Sequence, residues 1–108
     1  MSRAYTEDEV REQVLNHFCD LISYWNGEAD SNVPAHMPTR YRMEGLVHSI
    51  LTTLDGCTQL PAFHISVQTH ESDKSFYQER GENWYEEGLI ISDKPLHEFW
   101  HEALKKKN

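Results

Sequence analysis

Phe63-His64-Ile65-Ser66-Val67-Gln68-Thr69-His70 alternates apolar and polar residues, and the reading of this stretch decides the fold. A period of two puts Phe63, Ile65 and Val67 on one face and His64, Ser66, Gln68 and His70 on the other, the pattern of a half-buried strand. A strand needs a partner, and the segment from Lys74 to Glu87 offers one. Arg80-Gly81-Glu82-Asn83 reads as a turn between the aromatic pairs Phe76-Tyr77 and Trp84-Tyr85, which favours a hairpin. The alternative is a short helix capped by Ser72-Asp73. Leu89-Ile90-Ile91 then reads as a short buried strand.

Helices are expected on either side. Thr6-Glu7-Asp8-Glu9 spells a capping box, and Val10, Val14, Phe18, Leu21, Ile22 and Trp25 follow on one helical stripe that ends near Asn26-Gly27. Glu28 to Pro38 holds two prolines and small polar residues and predicts an irregular connection. From Thr39, the residues Met43, Leu46, Val47, Ile50, Leu51 and Leu54 repeat with helical period, and Asp55-Gly56 supplies the stop. Ser92-Asp93 with Pro95 opens a last helix whose apolar side is Leu96, Phe99, Trp100, Ala103 and Leu104. Lys105, Lys106 and Lys107 stand where a helix carboxyl end favours cations. The expectation is a single α+β domain over residues 1–108: two N-terminal helices, a small antiparallel sheet of two to four strands packed on them, and a C-terminal helix.

Length and composition bound the function. A chain of 108 residues with 38% hydrophobic residues is long enough to bury one core without disulfides or a structural metal. Acidic residues outnumber basic ones 18 to 10, which argues against a phosphate backbone as partner. Cys19 and Cys57 form no C-x-x-C pattern and Met1 to Glu7 lacks an apolar leader, so a reduced, cytoplasmic protein is expected. No apolar run approaches the roughly 20 residues of a membrane span.

One catalytic string is present. His97-Glu98-Phe99-Trp100-His101 matches H-E-x-x-H, in which two His one helical turn apart bind zinc while the Glu activates the metal-bound water. The third protein ligand usually follows downstream, and there only Glu102 can ligate, beside His101 on the same helix. His64 and His70 stand about 20 Å apart along a strand, so at most one could join. Stepped at about 100° per residue, both His97 and His101 fall at the margin of the apolar stripe. The spelling therefore gives a zinc-dependent hydrolase only as the alternative reading, with His97 and His101 as ligands and Glu98 as base.

A second set of polar residues lies on the helix from Thr39. Glu44 and His48 stand at i, i+4, Asp55 continues their stripe, and a neighbouring C-terminal helix would bring His97 and Glu98 to meet them. A satisfied polar network is the ordinary outcome of such a cluster. With Glu44-Gly45, His48-Ser49, Leu54-Asp55-Gly56 and Leu96-His97-Glu98, the second half of the chain resembles small bacterial and phage-type proteins that carry no assigned activity. In that similar pattern Leu96-His97-Glu98 stands without a second His at the position of His101, which weakens the zinc-peptidase reading.

Trp84-Tyr85-Glu86-Glu87 joins two large aromatics to two acids, a surface suited to a protein partner with cationic groups. From Glu71 to Glu102 nine acids face three bases, a local charge of minus six. Neither Ser49, Cys19 nor Cys57 sits in an activating context, and there is no P-loop or G-x-G-x-x-G. The sequence therefore points to a small acidic, non-enzymatic binding or regulatory protein without a cofactor. It acts on a protein partner and not on nucleic acid or membrane, and the sequence leaves its oligomeric state open.

Overall fold

The capping box forms as spelled. In the computed structural model, which describes residues 2–27 and 36–107, α1 runs over Glu7–Trp25. The Glu9 amide donates to Thr6 Oγ1 at 3.2 Å, and the Thr6 amide donates to Glu9 Oε1 at 2.9 Å. Arg3 grips the same Glu9 carboxylate at 2.7 Å. Together they satisfy amide groups that a helix start leaves without partners. Most of the connection expected between Glu28 and Pro38 lies outside the described residues.

The second helix, α2, spans Thr39–Leu54 and packs antiparallel to α1. Its register is fixed by polar contacts. His17 Nε2 lies 2.9 Å from Thr53 Oγ1, whose own hydroxyl proton goes to the Ser49 carbonyl at 2.8 Å, so the His17 ring is the donor. The Trp25 indole N–H donates to Ser49 Oγ at 2.9 Å. Gly45 makes that approach possible, because a Cβ there would stand 2.4 Å from the Trp25 ring. The carboxyl end closes as a Schellman motif: Cys57 N–H donates to Thr52 O and Gly56 N–H to Thr53 O, both at 3.1 Å, with Gly56 at φ 81°.

The expected sheet is not there. Among the described residues, the stretch from Phe63 forms one isolated antiparallel bridge, Ser66 to Ile90. Val67 N–H donates to Leu89 O at 2.8 Å, Gly88 N–H to Val67 O at 2.8 Å and Ile91 N–H to Ile65 O at 2.9 Å. The α+β assignment is thereby overturned: the protein is helical, with two extended segments touching over a few residues. Burial does alternate along the segment, Phe63, Ile65 and Val67 being half-buried while His64, Ser66, Gln68 and His70 are exposed, but no strand forms there beyond the bridge at Ser66. What fails is the supply of strands. The Lys74 to Glu87 hairpin is replaced by a short helix, α3, over Asp73–Glu79. His70 and Asp73 start it, the His70 amide donating to Asp73 Oδ2 and the Asp73 amide to the His70 carbonyl, each at 3.0 Å. Leu89, Ile90 and Ile91, expected to be buried, are 55%, 42% and 49% exposed.

The last helix, α4, covers Leu96–Lys107 and packs against α2, so that α2 is central with α1 and α4 beside it. Its start differs from expectation. Ser92 is occupied elsewhere, accepting from the Ile65 amide at 2.8 Å, and the cap comes from Asp55 at the end of α2.

The expectation of a self-contained core also fails. Thr53 is the sole fully buried side chain among the described residues, and the molecule measures 54 × 51 × 20 Å. Its radius of gyration is 18.1 Å, against about 13 Å for a compact chain of this length. A slab this thin has two layers at most and cannot enclose its apolar residues.

Candidate functional site

Asp55 organises the junction between α2 and α4. Its carboxylate accepts from the Leu96 amide and the His97 amide, each at 2.8 Å, and from His97 Nδ1 at 2.6 Å, with only 3% of its side chain exposed. Burial by itself would raise the Asp55 carboxyl, but the His97 amide, the Leu96 amide and the His97 ring together outweigh it and hold the group below its ordinary value. An ionised carboxylate only accepts, so Nδ1 of His97 is the donor in this bond and Nε2 is the ring nitrogen not engaged by Asp55.

His48 comes up from α2 against both histidines of α4. Its ring lies edge-on to His97 with centroids 5.8 Å apart, and tilted to His101 at 6.0 Å. His97 is half-buried and His101 exposed. Beside them, a cleft of about 240 Å³ is lined by Trp25, Tyr41, Glu44, His48, Trp100 and His101 among others. The Trp100 indole N–H donates to the Glu44 carbonyl at 3.1 Å, which fixes the rotation of α4 on α2.

Of the four residues expected to meet, the structure joins His48 with His97 and seats Glu44 on the neighbouring cleft. Glu44 turns its carboxylate to Arg40 at 2.9 Å. Glu98 does not take part: it is exposed, and among the described residues no hydrogen bond or ion pair ties it to the histidines. The sequence reading missed the role of Asp55, whose partners are 41 and 42 positions away. An acid just before the Gly56 stop was the available signal. Among the described residues, no group of three or more His, Cys, Asp or Glu side chains is placed, as it stands, where it could hold a metal ion.

The second candidate surface is partly self-satisfied. The Trp84 indole N–H donates to Glu86 Oε1 at 2.9 Å, and Lys74 Nζ sits 5.3 Å over the Trp84 ring and 3.5 Å from the same carboxylate. These contacts, the indole first, lower the Glu86 carboxyl. Glu87 is held by the Thr69 amide and, at 2.8 Å, by the Thr69 hydroxyl. Tyr85 stays 68% exposed.

Comparison with protein-family models, curated proteins and solved structures finds no match to this chain. No helix among the described residues is long and apolar enough to cross a membrane.

Proposed function

We propose that this chain is a small, acidic, non-enzymatic interaction module whose apolar faces are completed by a protein partner. One observation carries the reading. Thr53 alone is fully buried among the described residues, while Leu15, Ile22, Met43, Leu89, Ile91 and Phe99 are 49–63% exposed. Single exposed apolar residues are ordinary on protein surfaces, but an apolar set of this size on a two-layer slab is the mark of an interface.

Two groups stand out. Ile22 and Met43 line one groove between α1 and α2, and Tyr85, Leu89 and Ile91 follow one another along the extended segment near Trp84. The net charge of −8 favours a partner that rings an apolar centre with Lys and Arg, and disfavours both nucleic acid and a second copy of this chain. Cys19 and Cys57 are exposed and unpaired, which supports a reducing compartment such as the cytoplasm. The alternative of a zinc hydrolase with Glu98 as base is not favoured by any specific contact, since Glu98 is exposed to solvent on α4.

The test is co-purification with a crosslinkable side chain placed at Ile22 or at Tyr85. Capture of one defined protein, lost on Met43→Glu or Leu89→Glu in chains of unchanged helix content, supports the reading. A chain that captures only itself, or that is compact and silent toward hydrophobic dyes, overturns it.

A further inference from the structure

We propose that His48, His97 and His101 form a binding site for one divalent transition-metal ion of the zinc class, bridging α2 to α4. The proposal is independent of the partner reading. It starts from the two ring separations, 5.8 Å for His48 with His97 and 6.0 Å for His48 with His101. With Zn–N bonds of about 2.0–2.1 Å and a tetrahedral angle, two imidazole centroids sharing an ion stand roughly 5 Å apart. His48 is thus within about 1 Å of metal-sharing distance from each α4 histidine; Asp55 pins His97, so rotation of the exposed His101 and a small shift of the half-buried His48 close the gap when an ion binds.

Asp55 supplies the second observation. Its buried carboxylate takes the Nδ1 proton of His97 at 2.6 Å. That is the arrangement by which an outer carboxylate fixes the tautomer of a ligating histidine, strengthens its other nitrogen as a donor and aims the ring. Here the nitrogen that Asp55 leaves for an ion is Nε2. His101 lies at the solvent edge, so a fourth position is left open to water, on the side where the cleft carries Glu44 and Trp100. Imidazole ligands suit zinc, copper, nickel and cobalt and do not suit calcium or magnesium.

The site differs from the H-E-x-x-H pattern of the sequence. The third imidazole comes from a different helix, and Glu98 has no part in it.

Zn²⁺ or Co²⁺ alone, titrated into the untagged, metal-free full chain, tests this by calorimetry and by the visible absorption of bound Co²⁺. One ion should bind per chain, His48→Ala and His101→Ala should each weaken binding at least about tenfold, and Zn²⁺ should slow amide exchange in α4. His101 is exposed, so its variant keeps the fold and decides the matter even if His48→Ala unfolds. Absence of saturable binding, or affinity unchanged in a folded His48→Ala or His101→Ala chain, overturns the proposal.

Discussion

Asp55 and His97 are joined twice: the carboxylate that ends α2 accepts from the backbone amide and the ring nitrogen of His97, and it takes a third hydrogen bond from the amide of Leu96. One side chain thus caps a helix begun some forty residues later, orients an imidazole and locks α4 onto α2. Asp55→Ala removes the cap and leaves amides and a ring N–H without their acceptor, and should lower unfolding stability by about 2 kcal/mol or more. Asp55→Asn keeps one acceptor oxygen and should cost less. Urea denaturation followed by far-ultraviolet circular dichroism separates the two.

Gly45→Ala should destabilise the chain although alanine favours a helix by about 1 kcal/mol over glycine. The added Cβ would stand 2.4 Å from the Trp25 ring, which is held by Ser49 on one side and lies near Tyr41 on the other. An expected net loss of about 1–2 kcal/mol follows from overpacking, with a shift in tryptophan fluorescence as the indole moves. A stabilised variant with unchanged emission would contradict the packing of α1 on α2.

Acid should unwind the start of α1 before neutral pH has any effect. Glu9 is held down to about 2 from an ordinary 4.5, first by Arg3 and then by the Thr6 amide. A lowered carboxyl stabilises the folded state above its unfolded value and loses that contribution as pH falls from about 4.5 through about 2. Glu9→Gln should flatten that part of the acid titration of helicity. High salt should flatten it too, since the Arg3 contact is exposed.

Much of this architecture was legible where the signal is local. The capping box at Thr6, the helical period from Met43 to Leu54 and the stop at Gly56 each report on backbone within a few residues of themselves, and α1 and α2 lie where these place them. Alternation from Phe63 reports an extended backbone but says nothing of how many strands pair with it, and that count decided the fold class. The aromatic pairs around Gly81 favour a hairpin, and the mutual hydrogen bonds of His70 and Asp73 decide instead for the short helix α3. At the site, helical spacing brought Glu44, His48 and His97 to one junction. It could not reveal Asp55 as a cap across the fold, nor that His48 would stand against both His97 and His101.

Thr53→Val tests the small buried polar centre. The hydroxyl accepts from His17 and donates to the Ser49 carbonyl, and valine would leave the His17 N–H unpaired in a half-buried position. A loss of about 1–2 kcal/mol is expected, recovered in part when His17→Leu is added to the same chain. Additive losses would remove the His17–Thr53 contact from the helix interface.

Small-angle scattering from the isolated chain, with hydrophobic-dye binding measured on the same sample, tests most directly whether this protein needs a partner to cover its apolar faces. A monomer with a radius of gyration near 18.1 Å that binds the dye is expected, because the described faces are open. A dye-silent monomer near about 13 Å would mean that the chain closes its own core, and would contradict the proposal of a partner-completed module.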